Sequence, residues 1–139
     1  MDTSKEYIEM CRKAVEVQEL WEPNVGDLTD CGLILKIYPG MYYTYKKESG
    51  HFFNVPKKEN PIYLPRQDQL QDMIGISKMF DFYGLVETFN RFATGKTCVV
   101  GSENQNIAHL KQFKSMEQIW LAFVMHAKYS KKWDGSDWI

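Results

Sequence analysis

Ser115-Met-Glu-Gln-Ile-Trp-Leu-Ala-Phe-Val-Met-His-Ala-Lys-Tyr129 is the stretch on which the fold turns. Ser115 followed by Gln118 has the form of a capping box, in which a hydroxyl and an amide each satisfy a free backbone N–H at a helix start. Between Met116 and Met125 only Glu117 and Gln118 are not apolar. The pattern therefore predicts a helix that is hydrophobic nearly all round, and such a helix is buried on most sides rather than lying on a surface. It is far shorter than the roughly 20 apolar residues that a bilayer crossing needs. We read it as the central packing element of a small domain, with one apolar face left for a second copy or a partner.

Composition agrees with that reading. The chain has 139 residues, the size of one domain on ordinary priors, so 1–139 is read as a single domain. A chain of this length hides roughly two-thirds of its unfolded surface. Aromatic residues make up 14% of it, enough large side chains to fill a core without a disulfide or metal staple. Seventeen basic and 18 acidic residues leave a net charge of −1, whereas a dedicated nucleic-acid binder carries a clear basic excess. Cys11, Cys31 and Cys98 are scattered, with no CxxC or metal-type spacing, and are expected to be reduced thiols. The first ten residues, Met1-Asp-Thr-Ser-Lys-Glu-Tyr-Ile-Glu-Met10, carry acidic residues where a secretory leader carries basic ones, and no apolar run follows. A cytoplasmic protein with no membrane association is expected.

Read outward from the final helix, the rest of the chain supplies a sheet and further helices. Thr3 and Glu6 form a second capping-box pattern, opening a helix to about Leu20 in which Tyr7, Met10 or Cys11, Ala14, Val17 or Gln18, and Trp21 recur at helical spacing. Pro23 ends it, and 22–27 is a loop leading into a sheet. Gly32–Tyr38, Met41–Lys47 and His51–Val55, joined by Pro39-Gly40 and Glu48-Ser-Gly50, predict an antiparallel meander. In its second strand Tyr43 and Tyr45 point to one face, Tyr42 and Thr44 to the other. Lys46, Lys47, Lys57 and Lys58 are turn and edge charges that discourage edge pairing. Ile62–Leu64 is a candidate fourth strand. Pro65 suits the first turn of a helix over Arg66–Ile74 with Leu70, Met73 and Ile74 as its stripe, broken by Gly75. A further helix runs from a Ser77 cap to a Gly95 C-cap. Thr97–Val100 is weakly strand-like, and Ile107–Leu110 is a short turn.

Motifs of chemistry are sparse. Gly95-Lys96-Thr97 lacks the glycine, helix order and strand order of a phosphate loop. His51, His109 and His126 have no metal-pair spacing. No carboxylate sits in an apolar context that argues for a raised pKa, and Cys98 with a distant histidine is too generic a pairing to name a nucleophile. No catalytic, cofactor or metal residue is assigned, and the chain reads as a non-enzyme. Tyr42, Tyr43 and Tyr45 near lysines are the one arrangement suited to stacking bases.

Three blocks carry a resemblance. Trp21-Glu-Pro-Asn-Val-Gly-Asp27 is similar to a W-x-P-x-x-G-D pattern. Leu64-Pro-Arg-Gln-Asp-Gln-Leu-Gln-Asp-Met73 is similar to L-P-R-Q-D-Q-L-Q-x-M. Met116-Glu-Gln-Ile-Trp-Leu-Ala-Phe-Val-Met125, with Lys132-Trp-Asp-Gly-Ser-Asp-Trp-Ile139, is similar to M-E-Q-L-W-L-A-F-V-M and W-D-G-x-x-W-V. On these the chain resembles a group of small uncharacterised proteins encoded in phages and prophages of Gram-positive bacteria, chiefly Firmicutes. Residues 75–114 match none of its blocks. The resemblance implies no activity, so it carries over no catalytic residue. It does suggest a use for the blocks: Arg66, Gln67, Asp68 and Gln71, with Trp133, Asp134 and Trp138, as an interaction surface.

The expectation is thus an α+β fold, a small antiparallel sheet of three or four strands with about four helices packed mainly on one face. The expected function is that of a phage- or prophage-derived accessory or protein-interaction domain, acting on an unknown protein partner or by self-association. The alternative is a weak nucleic-acid-binding module using Tyr42, Tyr43 and Tyr45.

Overall fold

The computed structural model describes residues 1–75, 82–94 and 111–139. They cluster into two compact units, Met1–Arg66 and Gln67–Ile139. The fold is α+β, with one four-stranded antiparallel sheet and, among the described residues, five α-helices.

The first unit opens with α1, Lys5–Lys13. Its cap is Ser4, one residue later than the capping-box pattern suggested. Ser4 Oγ accepts from the Tyr7 N–H at 3.2 Å, and the Asp2 carboxylate accepts from the Ser4 N–H at 2.8 Å, so two acceptors serve the helix start. The predicted stripe is buried: Tyr7, Met10, Cys11, Ala14 and Val17. The single helix expected to Leu20 is instead interrupted at Ala14 (φ −78°, ψ 67°) and resumes as α2, Val15–Glu19. Gln18 makes the interruption tolerable. Its amide nitrogen donates to the Cys11 carbonyl at 3.1 Å and to the Tyr63 carbonyl at 3.0 Å, while its amide oxygen accepts from Tyr63 N–H at 3.0 Å. A buried backbone carbonyl freed by a kink needs such a partner.

The sheet runs in the order β1-β2-β3-β4: Leu28–Thr29, Gly32–Tyr38, Met41–Lys46 and His51–Pro56. The three-stranded meander is where the turn signals placed it. The fourth strand is Leu28–Thr29, not Ile62–Leu64, which contributes a single bridge from Tyr63 to Thr29. Pro61 and Pro65 flank that segment and have no N–H with which to extend a ladder. Ile34, Tyr42, Thr44 and Val55 are buried on one face of the sheet, while Leu33, Tyr43 and Tyr45 on the other stay partly exposed. Gly32 allows the close approach of β2 to β3: at φ +123°, a Cβ there would lie 2.7 Å from the Tyr45 carbonyl oxygen.

The second unit holds α3 (Gln67–Ile74), α4 (Phe82–Thr94) and α5 (Met116–Tyr129). Pro65 stands outside α3, which Gly75 ends at φ +74°. Ser115 Oγ caps α5 by accepting from Gln118 N–H at 3.1 Å, and Gln118 Oε1 reaches back to accept from Lys114 N–H at 2.9 Å. Trp120, Leu121, Ala122, Phe123, Val124 and Met125 are all buried. No face of that run is left for a second copy, contrary to the expectation. Leu70 of α3 is fully buried in the same unit, and α4 stacks Phe89 on Trp120 with ring centroids 3.8 Å apart and planes 4° apart. The Ser77 and Gly95 caps, the Thr97–Val100 strand and the Ile107–Leu110 turn lie outside the described residues.

Two substitutions test this core. Trp120→Ala empties a large aromatic site and is expected to cost about 3–5 kcal/mol, read as a lowered Tm; a variant melting within a degree or two of wild type refutes α5 as the central element. Gly32→Ala adds a methyl against backbone in a conformation alanine avoids, and is expected to lose at least about 2 kcal/mol in urea unfolding, whereas Gly40→Ala, with open space around it, loses less.

Candidate interaction site

Two of the sequence blocks meet in the first unit. The Trp21 indole N–H donates to Asp27 Oδ2 at 2.9 Å, and the same oxygen accepts from Asn24 N–H at 2.9 Å. Gly26, at φ +94°, donates its N–H to the Ile34 carbonyl at 2.8 Å, and Asp27's carbonyl accepts from Ile34 N–H at 2.9 Å, docking the loop on β2. Arg66 Nη1 donates to the Gly26 carbonyl at 2.7 Å. Tyr63 stacks on Trp21 at 4.9 Å with planes 1° apart, and Tyr7 Oη donates to the Pro65 carbonyl at 2.6 Å. These residues tie a loop, a helix and a sheet edge together.

The remaining residues of the expected surface lie in the second unit. Trp133 and Trp138 are buried, with ring centroids 5.0 Å apart and a backbone bridge between them. Lys132 N–H and Ile139 N–H exchange bonds with each other's carbonyls at 2.8 and 2.9 Å, closing a miniature hairpin. Asp134 Oδ1 organises its turn by accepting from the N–H groups of Ser136 and Asp137, both at 2.8 Å, beside Gly135 at φ +105°. The bulk of both indoles is occupied in packing. Asp68 in the first turn of α3 is exposed, with Gln67 and Gln71 half-buried.

The sheet shows a surface that the sequence reading only half identified. The three tyrosines separate. Tyr42 is buried between Trp21, 6.4 Å away by ring centroid, and the Lys57 ammonium, 5.3 Å from its ring; burial also pushes its phenol pKa up. Tyr43 and Tyr45 share the opposite face with Phe52 of β4, whose ring lies 5.7 Å from Tyr43 and 5.0 Å from Tyr45. Phe52 is 56% exposed and Phe53 is 43% exposed. The lysines read as edge protection lie at or beyond the strand ends, so His51-Phe-Phe-Asn-Val-Pro56 is an edge strand with no Lys, Arg, Asp or Glu. That absence of charge was visible in the sequence; which strand lay at the edge was not.

A groove of about 790 Å³ runs beside this face, lined among others by Thr3, Ile8, Leu28, Leu33, Tyr45 and Glu48. The Glu48 carboxyl sits below the usual range, held there by its own backbone N–H and then by the Thr3 hydroxyl. Nearby, the Cys31 thiol is pushed up to about 11, first by burial and then by the charge of Asp30. Cys11 is fully buried and its thiol is pushed up by desolvation. Neither thiol has the depressed pKa of a nucleophile. Among the described residues no three His, Cys, Asp or Glu side chains come together as a metal site, and no helix is long and apolar enough to cross a membrane. Cys98 and His109 lie outside the described residues, while His51 and His126 are exposed.

Comparison with family models, curated proteins and solved structures returns no match to this chain.

The Cys31 environment predicts a rate. A thiolate that forms only near pH 11 is scarce at pH 8, so alkylation of Cys31 by iodoacetamide is expected to run roughly tenfold slower than that of a free cysteine peptide, as followed by peptide mass spectrometry. Because the folded pKa is raised above the ordinary 9.0, the stability this thiol contributes is intact below pH 9 and is lost as pH rises through about 11. Labelling at the free-peptide rate at pH 8 contradicts the burial.

Proposed function

We propose that the chain is a non-enzymatic accessory domain that works through protein contacts, carried in phages or prophages of Gram-positive bacteria and acting in the host cytoplasm. The exposed aromatic face of the β3–β4 hairpin is the observation that carries the reading. Phe52, itself exposed, stacks on Tyr43 and lies tilted against Tyr45 there, while Phe53 stands exposed on the other face of the same edge strand, opposite Thr44 in the register. Contiguous exposed apolar side chains mark contact sites on soluble domains, and rigid aromatic rings dominate the energetics of such sites because burying them costs little conformational entropy. The phage assignment rests on the three sequence blocks. Gln67, Asp68 and Gln71 of α3 offer polar groups for a partner, whereas Arg66 holds the Gly26 carbonyl and Asp134 holds the N–H groups of the turn between Trp133 and Trp138.

A second reading is favoured by the same face. Tyr43, Tyr45 and Phe52 form a stacking platform with Lys36 opposite Tyr43 in the register, which suits single-stranded nucleic acid. The net charge of −1 provides no bulk attraction to a phosphate backbone.

Affinity capture from phage-infected or lysogenic host cells separates the two. Wild-type protein is expected to retain partner proteins that a folded Tyr43→Ala/Phe52→Ala variant loses. Identical capture by both proteins overturns the proposal, as does substrate turnover by the purified protein that depends on one side chain. A gel shift at low salt that is lost in Tyr45→Ala transfers the face to nucleic acid.

A further inference from the structure

We propose that β4 pairs with β4 of a second copy of this chain, antiparallel, across a two-fold axis at Phe53. The inference rests on the protein-contact reading above and deepens it by naming one partner of the same hairpin, at its β4 edge.

Backbone parity sets the register. Lys57 N–H donates to the Gly40 carbonyl at 2.9 Å, in line with the β3–β4 ladder that pairs Met41 with Pro56 and Tyr42 with Val55. Antiparallel pairs alternate between the hydrogen-bonded and non-hydrogen-bonded kinds. Val55, Phe53 and His51 therefore direct their N–H and C=O groups to β3, and Phe52 and Asn54 direct theirs outward from the sheet. Among the described residues β4 is the last strand of the sheet, and Phe52 and Asn54 are exposed. Pro56, which has no N–H, ends the free edge at one side, and the turn at Gly50 ends it at the other.

A two-fold axis at Phe53 places Phe52 opposite Asn54 of the second copy and Asn54 opposite its Phe52. Each outward N–H then meets an outward C=O, so the two edges are complementary without any shift of backbone. Phe53 meets its own counterpart in a non-hydrogen-bonded pair, where side chains approach most closely and aromatic pairs stabilise a ladder. His51 falls opposite Val55.

Charge explains why the occupant is a second copy. A two-fold axis brings each axial residue against itself, so a self-pairing strand cannot tolerate a charge there. His51–Pro56 carries no acidic residue and no lysine or arginine, in a chain of which 25% is charged. Edge strands that must stay single are defended by lysine, inward-pointing charge or bulges; β4 lacks a lysine, its register with β3 is unbroken, and its two phenylalanines are exposed. Closed two-fold pairing uses the β4 edge completely, and the other edge, β1, is only two residues long with a bridge from Tyr63 beside it.

Sedimentation velocity and light scattering test this on the full chain. Wild type is expected to dimerise as its concentration rises. Phe53→Lys and Phe53→Glu are each expected to weaken the dimer by about tenfold or more, and an equal mixture of the two is expected to restore it, because Lys and Glu then face each other at the axis. Circular dichroism verifies that each is folded. Should either fail to fold, Phe53→Cys is the second arm: a Cα separation of about 4.5 Å in a non-hydrogen-bonded pair suits a disulfide, so mild oxidation is expected to link the copies, above the wild-type background, while Phe52→Cys stays unlinked. A wild type that is monomeric at all concentrations overturns the inference, as does a dimer unchanged by both charge variants or linked through position 52 and not 53. A monomeric wild type that still captures host proteins through Phe52 leaves the protein-contact reading standing while this inference falls.

Discussion

Trp120 to Met125 of α5 are buried without interruption, and because each residue turns a helix by about 100° they sweep its whole circumference. Water has to be kept from every side of this turn and a half. That constraint organises the second unit. α3 brings Leu70, and α4 brings Phe89 and Phe92 against Trp120 and Phe123. The Trp133–Trp138 hairpin folds in the same unit, its Trp133 carbonyl accepting from the Gln112 amide at 3.2 Å. Polar interactions are confined to the ends, at the Ser115–Gln118 cap and at Ser130, whose left-handed conformation (φ 55°) closes the helix. Within the run, the buried Trp120 indole N–H has no hydrogen-bond partner among the described residues. Its aromatic packing has to outweigh that unmet bond, which costs on the order of 1–3 kcal/mol when buried.

The first unit is held together in a different manner. Its helices, loop and sheet are joined by side chains reaching to backbone: Gln18 to Cys11 and Tyr63, Arg66 to Gly26, Tyr7 to Pro65. The bonds from Gln18 to Tyr63, Arg66 to Gly26 and Tyr7 to Pro65 each join segments 40 or more positions apart in the chain. Trp21 and Asp27 illustrate the consequence. They look like loop residues with functional potential, yet the indole and carboxylate satisfy one another and shape the loop. The polar density around Arg66 reads the same way: its guanidinium secures the loop glycine.

The β3–β4 hairpin is the exception to this economy. Tyr42 and Thr44 are covered on one face, but Tyr43 and Tyr45 are half-buried beside an exposed Phe52 on the other, and Phe53 is exposed opposite Thr44. A fold that hides every side of α5 leaves these rings in water. Exposed aromatic surface is an unrelieved hydrophobic cost in an isolated chain, a cost that the buried tryptophans do not carry.

Local sequence alone determined the elements whose signals are local: the α5 run with its Ser115 cap, the turns at Pro39-Gly40 and Glu48–Gly50, the alternation that splits Tyr42 from Tyr43 and Tyr45, and hence the α+β class. Periodicity and turn chemistry are properties of neighbouring residues, so they can be read before folding. What tertiary structure decided depends on groups far apart in the chain. Periodicity showed one helix to Leu20, but the break at Ala14 depends on Gln18 finding Tyr63, 45 positions away. Ile62–Leu64 is the candidate fourth strand by sequence, but the prolines around it exclude it from the ladder and Leu28–Thr29 takes that place. The widest gap concerns α5 itself. Its hydrophobicity was evident, and an apolar circumference is compatible either with full burial or with one face kept for a partner. Only the packing of α5 decided between them: with Trp120–Met125 all buried, it moved the exposed apolar surface to an edge strand whose lack of charge means little until the strand order is known.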